Sequence, residues 1–393
     1  MHYAPQPQNP PTATEAETAT LLVSFELSEG RWILTIRLPG SSQLSRFSVP
    51  ARDTAAVLAV LLKQRQRAEQ HSGRPVQIVS IYEAGRDGFW LHRWLQAQEI
   101  ASHVVDPASI LGPQRRRKVK TDRIDGAKLL RSLAGWLSGE PGVCSMVVPP
   151  SVAQEDHRRL SRERDELVSE RTRLCNRING LLANQGIAGF KPLQKGAQQT
   201  LDDLRTGDGH ALEPHLRGTL ERILQRLDLL ERQIKAVEKP RDAVFKAVSA
   251  EAGAITPEAT MSRSLFRLRS IGPEFATVLP AECFHRHFDN RRQVAAFVGL
   301  APTPWASGSV AREQGISKAG NRRLRRTMIE LAWSWTRHQP SSALTQWFHK
   351  KVADQGKRIK RIAIVALARK LLVALWRYVT GGVVPAGAML KQD

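Results

Sequence analysis

At 393 residues the chain can hold two or three domains, each with a core of its own. Its 59 Lys plus Arg against 37 Asp plus Glu give a formal charge of +22 and a pI near 10.7, which calls for an acidic polymer as partner, nucleic acid first. A membrane span is argued against by the best apolar stretch, Ile362 to Val379, which is interrupted by Arg369, Lys370 and Arg377 and reads as a soluble helix.

Met1 to Thr20 is rich in Pro, Thr and Ala, lacks the basic-then-apolar order of a secretion signal, and reads as a disordered lead-in. Cys144, Cys175 and Cys283 lie far apart without a CxxC or nearby paired histidines. They support neither a disulfide framework nor a zinc site, and fit a reducing cytoplasm.

From residue 21 to about 148 strands and helices alternate. Leu21 to Leu27 and Trp32 to Leu38 are β-rich runs joined at Ser28–Arg31, a hairpin signal, and Arg46 to Val49 is a third short run. Asp53 then caps a helix through Gln70. Val76 to Tyr82 reads as a strand, Gly88 to Gln98 as a helix, His103 to Val105 as a strand, and Thr121 to Leu137 as a helix. Three antiparallel-type strands, then helix, strand, helix, strand, helix, is the element order of an α/β RNase H-like fold.

From 151 to about 250 the pattern is all-α. Leu160, Leu167, Leu174 and Leu181 recur every seven residues, and Leu216, Leu220, Ile223, Leu227, Leu230, Ile234 and Val237 alternate by four and three, a coiled-coil seam. A packed helical hairpin within one subunit and a dimerising arm both satisfy it; Pro240 is expected to end the helix. The region 261–345 reads as a compact, basic, mainly α domain, and 346–393 as C-terminal helices and tail. Ile271-Gly272-Pro273 forms a turn between helices that could offer backbone N–H groups to phosphate, or be an ordinary helix–helix turn. The helix Arg358 to Tyr378 carries Ile364, Leu367, Leu371 and Leu375 on one side, which suggests docking or subunit contact, and Trp333, Trp335 and Trp347 read as core.

Four acids stand where a metal site on such a scaffold would need them. Glu26 lies in the first strand on the face of Ser24, Glu83 at the carboxyl end of the strand Val76 to Tyr82, and Asp122 and Asp125 three residues apart at the start of the last helix. Gathered together they would repel without a cation, and oxygen-only ligands suit Mg²⁺ or Mn²⁺. As isolated residues they read as solvated or helix-start acids. Arg115, Arg116, Arg117, Lys118 and Lys120 lead into this segment and, with Arg123, read as phosphate contacts or as a solvated loop. Lys318, Arg322, Arg323, Arg325 and Arg326 form a second basic cluster around Gly320-Asn321.

The segments Leu22 to Gly30, Tyr82-Glu83-Ala84-Gly85-Arg86-Asp87-Gly88 and Lys120-Thr121-Asp122-Arg123-Ile124-Asp125 resemble the N-terminal domain of the insertion-sequence-110 transposase family. So do Ser270-Ile271-Gly272-Pro273, Phe297 to Pro302, Ser307-Gly308 and Ile316 to Arg325, which look like that family's second domain, in the branch typified by insertion sequence 1111. The resemblance spans about Leu21 to Arg337. It implies a RuvC-like domain, a coiled coil and a C-terminal transposase domain. Glu26, Glu83, Asp122 and Asp125 then match the metal-binding acids, and Ser307 the nucleophile that attacks DNA. Glu26 departs from the aspartate usual at the first position. The resemblance further implies a bacterial, nucleoid-associated enzyme that binds DNA and a structured non-coding guide RNA, as a homo-oligomer, dimer or tetramer, joined through the coiled coil. A RuvC-like nuclease using water on branched DNA, and a non-catalytic nucleic-acid-binding protein, are the rival readings.

Overall fold

A computed structural model describes residues 18–110, 122–246, 256–307 and 310–391, with the backbone alone for residues 108, 122–124, 304–307 and 310–314. The chain divides into two compact units, one ending at Ser151 and the other beginning at Val152.

The first unit is built on a six-stranded mixed sheet. β1 (Ala19–Leu27), β2 (Arg31–Arg37) and β3 (Leu44–Pro50) run antiparallel, β4 (Val76–Glu83) and β5 (Ala101–Val105) continue parallel to β1, and the two-residue β6 (Met146–Val147) closes the edge in the order β3-β2-β1-β4-β5-β6. The helices are α1 (Thr54–Ser72), α2 (Trp90–Ala97) and α3 (Asp122–Leu137). Asp53 caps α1 as expected, accepting from the Ala56 N–H at 2.9 Å. The lead-in ends sooner than expected: Ala19 and Thr20 already pair with Val76 and Gln77, so the parallel neighbour lengthens β1, while residues 1–17 lie outside the described residues.

Both faces of the sheet are covered. Val23, Phe25 and Tyr82 pack with Val57, Leu61 and Leu91 of α1 and α2, whereas Leu22, Val79, Ile81 and Val105 pack with Leu129 and Leu133 of α3. This is why Leu21 to Phe25 is a continuous buried run and not an alternating one.

In the second unit α4 (Val152–Ala183) and α5 (Pro214–Lys246) pack on one another, burying Leu174, Ile178 and Leu182 against Leu220, Ile223 and Leu227. The seam is thus filled within the chain. Pro240 does not end α5, which runs on to Lys246. A proline in a helix costs one backbone hydrogen bond, and here Arg241, one residue on, anchors the helix by donating to Asp242 and Glu274 at 2.7 and 2.8 Å.

There follow α6 (Pro257–Phe266), α7 (Pro273–Leu279), a π-helical turn (Pro280–Phe284), α8 (Arg291–Val298), the hairpin β7 (Pro302–Ser307) and β8 (Val310–Ile316), α9 (Arg322–His338), α10 (Ala343–Val352) and α11 (Lys357–Gly381). The apolar side of α11 is spent internally: Ile364, Leu367, Leu371 and Leu375 are buried with Leu331 and Trp335 of α9. The tail closes this core, because the buried Gln339 amide donates to the carbonyls of Arg269 and Met389 and accepts from the Met389 N–H.

Charge, too, is buried here. Glu282, 2% exposed in the π-helical turn, receives a two-pronged hydrogen bond from Arg162 of α4 at 2.7 and 2.9 Å and a third from Arg323 of α9 at 3.1 Å. Burial alone would raise its carboxyl. The Arg162 hydrogen bonds and the charges of Arg162, Arg323 and Arg158 outweigh that and hold it below the usual carboxylate range. Burial pushes His285 next to it down to about 4, aided by the Arg158 charge, so the ring is neutral and accepts from Arg158 at 2.8 Å. A carboxyl held low in the folded state stabilises the fold at neutral pH and loses that contribution as pH falls through its folded value. Glu282→Gln should therefore cost about 3 kcal/mol at pH 7. In urea melts the gap to the parent chain should narrow as the solution is acidified below the ordinary carboxylate range.

Candidate functional site

The sheet brings two of the four predicted acids to neighbouring positions. β1 and β4 are in parallel register with Phe25 beside Tyr82, so Glu26 stands beside Glu83 one residue further on, about 4.8 Å away along the hydrogen-bonding direction. Parallel partners share a face, and Leu22, Ser24 and Glu26 with Val79, Ile81 and Glu83 make up the face that α3 covers. Both carboxylates therefore leave the sheet at the carboxyl end of its strands, where open α/β sheets present ligands.

The third predicted acid arrives on α3. The buried Ser24 hydroxyl donates to the Gly126 carbonyl at 3.0 Å, tying the first turn of the helix to β1. Gly126 has no room for a side chain: a Cβ there would lie 2.3 Å from Thr35 Oγ1 and 2.5 Å from Glu26 Oε1. The bare backbone thus sits against the Glu26 carboxylate, and half-buried Asp125 is the residue immediately before it. The Asp122 backbone begins α3 one turn earlier; its side chain, like that of Arg123, is not among those described, and Arg115, Arg116, Arg117, Lys118 and Lys120 lie outside the described residues. Asp106, directly after β5, is a further acid at this edge that motif spacing does not single out.

Among the described residues no group of three His, Cys, Asp or Glu side chains is gathered closely enough to hold a metal. The donors nonetheless fit a hard divalent ion. Glu26 and Glu83 are carboxylates on one face of the sheet, and the Thr35 hydroxyl, buried beside Gly126, has no hydrogen-bond partner among the described residues. Neighbouring charges are already committed, since Arg86 pairs with Glu29 and Arg52 with Asp87 at 3.6 Å.

Ser307 belongs to the second unit. The run Pro302 to Ser309 is expected to be a loop, but Pro302 to Ser307 is the strand β7, paired antiparallel with β8, and Ser307 is the last residue of that strand, opposite Val310. Its backbone alone is described. The base of the hairpin is held firmly: Ser317 N–H donates to Ala301 at 2.8 Å, Lys318 N–H to Gly299 at 3.2 Å, and Asn321 N–H to Phe297 at 3.0 Å. Gly299 and Gly320 make this possible. Both have positive φ, and a Cβ would come within 1.9 Å of the Ala319 oxygen at the first and 2.3 Å of the Phe297 oxygen at the second.

The second basic cluster divides. Arg323 is turned inward, donating to Asp165, to the Ser161 hydroxyl and carbonyl, and to Glu282. Arg325 donates to the carbonyls of Val298 and Lys318 and so braces the hairpin base. Arg326 is exposed but shared between Asp165 at 2.9 Å and Glu330 at 3.6 Å, whereas Lys318 and Arg322 are exposed and form no ion pair among the described residues.

Residues 262–347, which contain the hairpin and its braces, match the model of the Transposase IS116/IS110/IS902 family. The putative transposase y4rJ of Sinorhizobium fredii is 50% identical over 384 residues, 97% of each chain. The chain belongs to the IS116/IS110/IS902 transposase family. Other members are more distant: the transposase for insertion sequence element IS1111A of Coxiella burnetii is 28% identical over 70% of this chain and 71% of its own. That for IS1328 of Yersinia enterocolitica is 25% identical over 61% and 67%. Among the described residues, no helix of this transposase is long and apolar enough to cross a membrane.

Gly126 gives the site a sharp test. Gly126→Ala should force Thr35 and Glu26 aside and push the first turn of α3 off β1, lowering stability by about 1–3 kcal/mol. The loss of DNA cleavage should exceed what the thermal midpoint accounts for.

Proposed function

We propose that this transposase cleaves and rejoins DNA through a covalent phosphoserine at Ser307, with Glu26, Glu83, Asp122 and Asp125 holding Mg²⁺ or Mn²⁺. The observation that supports the reading is that Glu26 and Glu83 stand side by side at the carboxyl end of neighbouring strands, with Asp125 next to the Gly126 backbone that lies against Glu26, on a sheet ordered β3-β2-β1-β4-β5-β6. A divalent ion held there would polarise the scissile phosphate and stabilise the oxygens entering and leaving it.

The chain's own part is nucleophilic. The Ser307 oxygen forms a bond to phosphorus as the phosphorus bond to one sugar oxygen breaks, and the proton lost by serine passes by way of a base to that sugar oxygen, which leaves as a hydroxyl. The phosphoserine keeps the energy of the broken ester, so that a hydroxyl from another strand can displace serine and rejoin the DNA. Placement at the tip of a braced hairpin suits a residue that must be presented to a bulky substrate.

Further parts of the reading rest on membership of the family: direction by a structured non-coding guide RNA, assembly as a homo-oligomer through the α4–α5 arm, and action in the bacterial cytoplasm at the nucleoid. Lys318, Arg322 and Arg326, with the basic run before α3, are the phosphate contacts; Arg323 and Arg325 serve from within. Ser307→Ala should lower strand cleavage by about a thousandfold or more and abolish the protein–DNA adduct, with nucleic-acid binding retained. Asp125→Ala or removal of divalent ions by EDTA should abolish cleavage as well. A Ser307→Ala protein that still cleaves would instead assign the acids to a nuclease that uses water.

A further inference from the structure

A third concentration of positive charge lies outside every motif considered so far. Between Ala343 and Gly381 the sequence has nine Lys or Arg against one acid, Asp354. Six of the nine, Lys350, Lys351, Lys357, Arg358, Lys360 and Arg361, are exposed at the corner where α10 turns into α11, and none forms an ion pair among the described residues. Arg162, Arg164 and Arg171 of α4 and Arg323 of α9 behave otherwise, being paired with carboxylates. Lys350 and Lys351 suit the carboxyl end of α10, but Lys357, Arg358, Lys360 and Arg361 crowd the amino-terminal turn of α11, where cations are disfavoured, and all six repel one another in the absence of a polyanion.

An aromatic ring sits at this corner. Trp335 is fully buried, but Trp333, two residues earlier on α9, is 41% exposed. The Phe348 ring of α10 stands nearly perpendicular to it with the centroids 6.1 Å apart, and Lys360 of α11 lies over it, 5.9 Å from its ring centroid. Exposed Arg337 follows one turn along the same face. A tryptophan backed by a buried ring and flanked by cations that no carboxylate neutralises is the combination that binds unpaired nucleotides, the ring stacking on a base and the cations tracking the phosphates. Duplex DNA, whose bases are already stacked, could use the cations but not the ring.

We propose that the α10–α11 corner, with Trp333 as its platform, is a binding surface for an unpaired nucleic-acid strand, separate from the serine hairpin and the acidic edge. It rests on the reading of the chain as a nucleic-acid enzyme and adds to it a place where a strand opened from its duplex is held.

The test uses the full-length protein and fluorescein-labelled oligonucleotides of about 20 residues: oligo-dT, oligo-U and a mixed-sequence DNA duplex, read by anisotropy across a salt series. Trp333→Ala should weaken oligo-dT or oligo-U binding about tenfold or more while changing duplex binding less than twofold, and Trp333→Phe should restore most of it. Whichever of the two single strands shows the larger loss identifies the source. Lys357→Ala with Lys360→Ala should reduce the slope of log affinity against log salt by about 1.4, since each phosphate that a cation neutralises on a single strand adds about 0.7 to that slope. Melting temperatures within a few degrees of the parent chain control for folding, which the exposure of all three side chains favours. Equal single-strand affinity in parent and variants, or equal losses for duplex and single strand, would overturn the inference while leaving the catalytic reading intact. Failure of the parent chain to bind any of the three probes would overturn both.

Discussion

The first unit depends on one interaction, the first turn of α3 laid bare against β1. A helix that started with any residue but glycine at position 126 would stand off the sheet by the width of a methyl group. The Ser24 hydroxyl, buried at that point, would then lose the carbonyl that satisfies it. Because α3 is also packed through Leu129 and Leu133 onto Val79 and Ile81, the helix has two supports along its length, one polar at the acidic end and one apolar beyond it. The apolar support supplies most of the energy. The polar one decides where Asp125 stops relative to Glu26.

The second unit meets the opposite problem. Its helices carry too many arginines to pack as an ordinary apolar bundle, and it settles them by burying carboxylates among them. Glu282, Glu274 and Asp165 each receive two or more guanidinium groups drawn from α4, α5 and α9. A buried ion pair contributes less to stability than its Coulomb energy suggests, since both ions lose their hydration. It is unforgiving of rearrangement, however, because any displaced partner leaves an uncompensated charge. The geometry that results ties the long α4–α5 arm to the start of α9, and Asn321 joins the web directly: it caps α9 while its amide donates to Glu282 at 3.3 Å. The loop that Asn321 terminates is the base of the serine hairpin. The arm and the hairpin therefore share one electrostatic anchor.

This also explains how the 59 Lys and Arg side chains divide. Some are internal, neutralised by acids in the arm and web. Others are displayed in patches, at Lys318 and Arg322 beside the hairpin and at the α10–α11 corner around Trp333. Composition gives the sum of these two populations and no means of separating them, because an arginine that braces a fold and one that grips phosphate have the same letter.

Much of the fold was legible along the chain. The three opening strands, the Asp53 cap, the strand ending at Glu83 and the helix starting at Asp122 follow from periodicity and capping chemistry, which act between residues close in sequence, and the heptads of α4 and α5 are likewise local signals. Glu26, Glu83 and Asp125 could be singled out by their places on those elements. What the sequence could not supply were effects set by residues far apart. Pro240 stays within α5 because Glu274, on another helix, holds the next residue, and Ser307 lies on a strand because β8 pairs with it. The apolar side of α11 is covered by α9 and left no docking face. Arg323 faces inward because Glu282 waits for it. Trp333 and Trp335 differ only in which side of α9 the core happens to cover. Local propensity and spacing thus determined the elements and the kinds of chemistry they carry. Tertiary packing alone decided which charges and rings remain available to a partner, because burial and pairing depend on neighbours that the linear order does not reveal.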